Sequence, residues 1–369
     1  MNNSEISSLI AKIFTENVIL VDNNCIQKKD FYCLLDKYEE PKLLIPKHSH
    51  CNALSYLQNT TKLSKIKLLI FKVLYKFGLL NYLNNIRELS FKGMDSINWS
   101  AYGWDSKIKP EIIISFGTNK KSRNAVSFLI SSNVSDCLIL KSSIGEASNL
   151  ENEYHSGIAI KSNNTKYISF NYKKGFLSQK YIPGFRKVSK LNTFHINFLS
   201  NMILDNTKKG HEIKKELLGS MASLSKICVA DKLLLEECVD KIHDNFDFHT
   251  ANVHGDFASF NVIYLKSSEL FSVIDWENSC INGLAFVDLF NYIYLDNCLF
   301  YKKNLDKIEG FVYRRSKEYI NEIDPAFNKK KYFQYKYAFI VSEYLKRLDD
   351  ADNEDVYVRY LLREIKNEC

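Results

Sequence analysis

Two short segments carry most of the residues that could do chemistry. Val253-His-Gly-Asp-Phe-Ala-Ser-Phe-Asn-Val-Ile263 places Asp256 five residues before Asn261. Val273-Ile-Asp-Trp-Glu277 follows, with Asp275 fourteen residues beyond Asn261. Each of these polar groups adjoins a β-rich run that could hold it rigidly. Oxygen-bearing side chains converging from a loop and the next strand suit a hard cation such as Mg²⁺ together with a phosphoryl group. In phosphoryl transfer one aspartate takes or orients the acceptor hydroxyl, while an asparagine and a second aspartate hold metal on the phosphates. For Asp256 alone, a capping aspartate beside a hairpin is an equal alternative. The spacing of all three favours the catalytic reading.

The elements that must position these residues follow from local pattern. Glu111–Phe116, Ala125–Ile130 and Cys137–Lys141 are β-rich runs of strand length. Turn-like polar stretches, 117–123 and 131–136, separate them. A helix is predicted over Gly145–His155, then strands at Tyr167–Tyr172 and Gly175–Ile182 that end at Pro183-Gly184. Beyond that the chain reads as mostly helical, including one long helix from His211 to His243. A β-rich patch at Val262–Tyr264 and Leu270–Ile274 interrupts it. The first hundred residues read as short helices. The order predicts an α+β, two-lobed plan rather than an alternating βαβ one. Its parts are an N-terminal mostly helical region over 1–105, a β-rich lobe over 106–183 and a helix-rich lobe over 184–369.

The pattern H-G-D-x-x-x-x-N followed by I-D-W-E resembles the aminoglycoside phosphotransferase and choline/ethanolamine kinase superfamily, which has a protein-kinase-like fold. The Asp-Trp-Glu form is closest to the choline kinase side and to sugar-kinase-like proteins found with bacterial surface-polysaccharide genes. The resemblance covers roughly residues 110 to 300. It implies Asp256 as catalytic base and Asn261 and Asp275 as magnesium ligands. It also implies His254 and Asp288 as supports of the catalytic loop, since Gly283-Leu-Ala-Phe-Val-Asp288 matches G-x-P-x-x-D. Ala285 replaces the proline, and Ser259 and Phe260 replace the loop's usual Pro and Gly or Trp. These departures bear on loop rigidity and substrate more than on chemistry.

The same resemblance implies a lysine on a strand that reaches the phosphates and a helix glutamate that orients it. Lys141 ends an apolar run, and Glu153, rather than Glu151, best matches the family's Asn-Glu pair. Gly117-Thr-Asn-Lys-Lys-Ser122 lies between two predicted strands where a phosphate-covering turn belongs. It is neither G-x-G-x-x-G nor a Walker A segment, and a solvated hairpin is equally consistent. Ser178-Gln-Lys-Tyr-Ile-Pro-Gly184, with Gln179 and Tyr181, resembles the interlobe hinge where backbone groups meet adenine. The implied cofactors are ATP or GTP with Mg²⁺. The implied acceptor is a hydroxyl of a small molecule or glycan: a sugar, an amino alcohol, an aminoglycoside or a lipid-linked glycan. Two alternatives stay open. One is a nucleotide-binding pseudokinase or scaffold, and the other is transfer to a protein hydroxyl, although no A-P-E segment follows Asp275.

Composition narrows the classes further. The 369 residues are 46% hydrophobic and 25% charged, ordinary values for a globular chain with a sizeable core. Nine cysteines without a C-x-x-C pair read as reduced thiols rather than a disulfide framework. No charged start precedes an apolar run, so no signal peptide is expected. The greasiest stretch, Ile66–Leu80, is broken by Lys67, Lys72 and Lys76, so no membrane span is expected either. The expected location is cytoplasmic. No G-x-S-x-G or H-E-x-x-H is present, and His48-Ser-His50-Cys51 reads as a polar loop rather than a closed metal site.

The net charge of +7 is too small and too mixed to call for a nucleic-acid partner. It is also localised: Pro41–Arg87 holds eight Lys/Arg and no Asp or Glu, which leaves the rest of the chain at −1. Within that region Lys62, Lys65, Lys72 and Lys76 share an arc of a predicted helix. Leu63, Ile66, Ile70, Val73, Leu74 and Phe77 occupy the neighbouring face. A basic amphipathic helix over 62–77 could contact an anionic membrane peripherally, on its inner face. The favoured alternative is an ordinary helix that packs its greasy face on the body of the protein and leaves its lysines solvated.

Overall fold

The computed structural model describes residues 30–36, 38–49, 62–92, 97–105, 107–116, 124–143, 150–159, 167–171, 175–265, 271–302, 305–350 and 356–368, with Ile10, Ile13, Ile19 and Leu20. The chain divides into two compact units. One is Met1–Lys187 with Ile263–Glu277, the other Val188–Val262 with Asn278–Cys369.

In the first unit the short apolar runs form strands. They are β1 (Ile19–Leu20), β2 (Phe31–Leu35), β3 (Pro41–Pro46), β4 (Ile86–Leu89), β5 (Phe91–Lys92), β6 (Glu111–Phe116), β7 (Asn124–Ile130), β8 (Leu138–Ser143), β9 (Tyr167–Asn171) and β10 (Phe176–Lys180). Eight of them make one sheet in the order β4-β2-β3-β6-β7-β8-β10-β9, with every neighbour antiparallel. Successive side chains of a strand point to opposite faces, and the core divides accordingly. Cys33, Leu44, Ile112, Ile114 and Leu140 join one buried cluster with Trp99, Tyr102 and Trp104. Tyr32, Ile45, Ile113 and Ile130 join the other. A helix, α1 (Lys62–Lys76), sets Phe71, Leu74 and Tyr75 against that second cluster, and the Tyr75 hydroxyl donates to the Pro46 carbonyl at 2.8 Å.

The N-terminal region thus differs from its expected mostly helical character, since β2, β3 and β4 extend the same sheet. A buried strand such as Leu43-Leu44-Ile45 is a short continuous apolar run, and periodicity cannot separate that from a piece of buried helix. Of the helix predicted over Gly145–His155, α2 (Leu150–Ala159) includes the second half and runs past its end, while residues 145–149 lie outside the described residues. The hairpin of β13 (Val262–Tyr264) and β14 (Phe271–Val273) is paired as a small sheet. Phe185 and Tyr264 exchange backbone hydrogen bonds at 3.0 and 2.9 Å, and a side chain at Gly184 would collide with Ile263 and the Tyr264 carbonyl.

The second unit begins with α3 (Thr193–Ser200), closed by a capping box between Asn192 and His195. The single helix expected from His211 to His243 is two, α4 (Gly210–Ser223) and α5 (Val229–Asp240), and Cys228 Sγ accepts the Asp231 N–H at the start of the second. A three-stranded sheet, β11 (Ile203–Lys209), β12 (Asp247–Val253) and β15 (Cys280–Leu284), has no counterpart in the sequence reading. Ile203-Leu-Asp-Asn-Thr-Lys-Lys209 is mostly polar and largely exposed, so backbone pairing rather than an apolar pattern defines it.

Four helices complete the unit: α6 (Val287–Asp296), α7 (Leu305–Ile320), α8 (Lys329–Asp350) and α9 (Val356–Glu368). Aromatic contacts join α6 to α8, with Phe290 and Phe339 ring centroids 5.2 Å apart and Tyr294 and Phe339 5.7 Å apart. Buried Lys336 on α8 pairs with Glu309 of α7 at 3.0 Å, Glu364 of α9 at 2.7 Å and Glu368 of α9 at 2.5 Å. That charge cluster fixes the helix whose last turn matters for the loop described next.

Candidate active site

The first unit holds one charged centre. Lys141 lies within β8, between Val126 of β7 and Leu177 of β10, and is almost wholly buried. Glu153, on the first turn of α2, is completely buried. The Lys141 Nζ donates to both Glu153 carboxylate oxygens at 2.8 Å and to Asp275 Oδ1 at 2.6 Å. Burial alone would depress the lysine's pKa, but the Asp275 and Glu153 carboxylates outweigh it and raise the value above the ordinary range. Glu151, the other glutamate of the helix, is exposed and lies beside His155.

Asp275 is presented by a tight turn. Its φ of 73° puts it in the left-handed region, an unfavourable place for a non-glycine residue and a common one at functional sites. Trp276 is fully buried and donates its indole N–H to the Val273 carbonyl at 3.1 Å, which anchors the turn. Glu277 accepts from the Asn124 amide at 3.1 Å, and its carbonyl accepts from the Asn152 amide at 3.0 Å. The carboxylates of Glu153, Asp275 and Glu277 lie within 4.8 Å of one another. Both Glu153 oxygens are engaged by Lys141, so Asp275 and Glu277 are the carboxylates of this group that could offer oxygen to a hard divalent cation.

Arg186 adds a cation that the sequence did not flag. Burial lowers its pKa, the Asp275 charge opposes that, and its Nε has no hydrogen-bond partner among the described residues. Gln179 is buried in β10, and its Oε1 has no hydrogen-bond partner among the described residues. The Tyr181 N–H donates to the Cys137 carbonyl at 3.0 Å, and its ring packs on the cluster that includes Tyr32. Gly117 and Ser122 lie outside the described residues.

The second unit holds the other centre. After β12 the chain turns at Gly255, whose φ of 79° and the clash a Cβ would make with the Asn278 carbonyl both require glycine. Asp288, buried at the first turn of α6, accepts the N–H groups of His254 at 2.6 Å and Gly255 at 2.8 Å. Burial raises its pKa against these donors and the nearby imidazole. His254 Nδ1 accepts the Asp256 N–H at 3.2 Å. Phe257 is fully buried, with its ring near Tyr292, Phe198 and His195 at 5.2, 5.8 and 6.3 Å. The loop is therefore held from below while Asp256 stays partly accessible.

Asn261 Nδ2 donates to the Asp256 carbonyl at 2.9 Å and to its Oδ2 at 3.2 Å, so the amide carbonyl is the oxygen it could offer a cation. Two residues from the last turn of α8 also reach the loop. Arg347 donates to Asp256 Oδ1 at 2.6 Å and to Glu343 at 2.6 Å, while Lys346 donates to the Gly255 carbonyl at 2.7 Å. The Glu343–Arg347 spacing was the only signal of this clamp in the sequence, and it names no partner 91 residues away.

A cavity of about 160 Å³ lies in the second unit, lined by Ser189, Tyr292, Asp296, Asn297, Ile308 and Phe311 among others. Asp296 Oδ1 accepts from the Ser259 hydroxyl at 2.9 Å, so the cavity wall also holds the loop between Asp256 and Asn261. Its Oδ2 has no hydrogen-bond partner among the described residues. Burial pushes the Asp296 carboxyl up to about 7, against the Ser259 hydrogen bonds.

No protein-family model matches the chain, and no curated protein does. Among solved structures it is similar to the choline kinase LicA from Streptococcus pneumoniae, at 14% identity and a TM-score of 0.45 over 65% of this chain and 88% of that one. A Plasmodium vivax ethanolamine kinase is 13% identical with a TM-score of 0.44, over 70% and 82% of the two chains. The APH(2″)-IIa complex with streptomycin and ATP is 13% identical with a TM-score of 0.40, over 69% and 90%. The fold itself is α+β, an antiparallel β-rich part followed by a helix-rich part. No helix among the described residues is long and apolar enough to cross a membrane.

Proposed function

We propose that this chain is an ATP- and Mg²⁺-dependent phosphotransferase acting on a hydroxyl of a small molecule or glycan. The observation that carries the reading is Lys141 joined to both Glu153 and Asp275. A strand lysine oriented by a buried glutamate, beside a partly exposed carboxylate, has the parts needed to fix a polyphosphate and its cation. Lys141 would hold the phosphates, and Asp256 would orient the acceptor hydroxyl and take its proton. Asp275 and Asn261 would supply metal ligands, with Glu277 a further candidate beside Asp275. A bound divalent cation would neutralise charge on the transferring group. His254 and Asp288 keep the loop in register.

The acceptor reading rests on the cavity in the second unit. Aromatic and aliphatic walls with a few polar groups suit a small polyol or amino alcohol. A role in surface-polysaccharide assembly remains the resemblance's suggestion. Turnover of ATP against a panel of sugars, amino alcohols and aminoglycosides, with and without Mg²⁺, tests the proposal. Metal-independent hydrolysis or no acceptor-stimulated turnover across the panel would count against it. A second reading, nucleotide binding without transfer, is favoured by the direct ion pair of Arg347 on Asp256. It predicts Mg·ATP binding with no turnover.

A further inference from the structure

We infer that α1 is an anionic-membrane docking element, a function that does not depend on the phosphotransferase reading. The helix carries two apolar faces. Phe71, Leu74 and Tyr75 are turned to the sheet and packed against its second core cluster. Ile66, Leu69, Ile70, Val73 and Phe77 are spaced i, i+3, i+4, i+7 and i+11, and they are 47–68% exposed. A helix that needed only one face to dock on the body has no folding reason to keep this second stripe. Contiguous exposed apolar surface of this kind marks an interaction site.

The charge around the stripe selects the partner. At 100° per residue Lys72 and Lys76 flank it on one side and Lys67 lies on the other. Lys67 and Lys76 are exposed. No Asp or Glu occurs anywhere in Pro41–Arg87, where eight Lys/Arg gather. An amphipathic helix with lysines beside its apolar stripe lies in the headgroup plane, its apolar residues below and its ammonium groups among the phosphates. A second copy of the chain fits poorly. A two-fold interface through this stripe would bring Lys67, Lys72 and Lys76 of one helix toward the same lysines of another, with no carboxylate on either helix to offset them. A bilayer containing anionic lipid complements both the apolar stripe and the charge.

The test is co-sedimentation of the full-length chain with phosphatidylcholine vesicles, with or without about 30% phosphatidylglycerol. Binding to the anionic vesicles alone is expected, weakening as salt rises. Each of Lys67→Gln and Lys76→Gln should weaken it about fivefold. The double variant Ile70→Glu/Val73→Glu should weaken it at least about tenfold. Because both replaced residues are exposed, the melting temperature should stay within about 2 °C of wild type. No binding to anionic vesicles, or binding that the folded double variant retains, would overturn the inference. So would a dimer that the double variant dissociates, which would assign the stripe to self-association.

Discussion

Two carboxylates that the proposed chemistry needs, Asp275 and Asp256, are each paired with a cation at 2.6 Å, yet the pairs are built differently. In the first unit the cation is the buried one. Lys141 is sealed in the sheet with a fully buried glutamate, and Asp275 presents the more exposed end of the group. In the second unit the loop around Asp256 is fixed by backbone hydrogen bonds to Asp288, and Arg347 arrives from a helix 91 residues away as an added clamp. The first centre is therefore part of its unit's core, whereas the second is a loop stabilised from several sides. Damage to the first should cost folding and binding together. Loss of a side chain at the second, such as Arg347 or Asp256, should separate turnover from stability, whereas a change in its loop backbone should cost stability as well.

The largest effect is expected at Lys141→Met, which strands a buried Glu153. The first unit should lose about 3–5 kcal/mol in urea unfolding, with Mg·ATP stabilisation gone. If Glu153→Gln in the same background restored nothing, the pair would not be the core of that centre. Next comes Gly255→Ala, which forces a side chain into the left-handed region and against the Asn278 carbonyl. A cost of about 2–3 kcal/mol is expected, and a neutral melting curve would contradict the loop geometry.

Arg347→Met should lower turnover about tenfold with little change in nucleotide-dependent stabilisation, because the clamp orients Asp256 and the Lys141 centre is built from residues of the other unit. Faster turnover in this variant would mean that Arg347 restrains the base instead. An effect of a different kind, on the pH dependence of stability, concerns Asp296. Its carboxyl, pushed up to about 7, holds a proton more tightly in the folded chain than in the unfolded one. Its contribution to stability is then full below about pH 4 and lost as pH rises toward 7. Asp296→Asn should flatten that part of the stability profile. An unchanged slope between pH 5 and 8 would place the titration elsewhere.

The residues of the candidate site were easier to pick out in the sequence than the framework that carries them. Asp256, Asn261 and Asp275 stand out because a loop motif compresses their spacing into one short stretch. Strands β6 to β10 were visible as β-rich runs of strand length between turns. Strands β1 to β5 were not, and β2 and β3 show why, since short apolar runs carry no period that separates strand from helix. The polar sheet of the second unit was equally silent, because its strands are defined by backbone pairing. Arg347 and Lys346 could not be matched to the loop at all, for nothing local ties the end of α8 to Gly255 and Asp256. Arg186 lacked any motif, and only its burial beside Asp275 draws notice.

The central claim is that the Lys141 centre binds metal-nucleotide while Asp256 serves the transfer step. Thermal melts of wild type, Asp275→Asn and Asp256→Asn, with and without Mg·ATP, test it most directly. Stabilisation should appear in wild type, persist in Asp256→Asn and vanish in Asp275→Asn, with acceptor-dependent turnover falling about 1,000-fold in Asp256→Asn. Mg·ATP stabilisation retained in Asp275→Asn, or wild-type turnover in Asp256→Asn, would contradict the assignment.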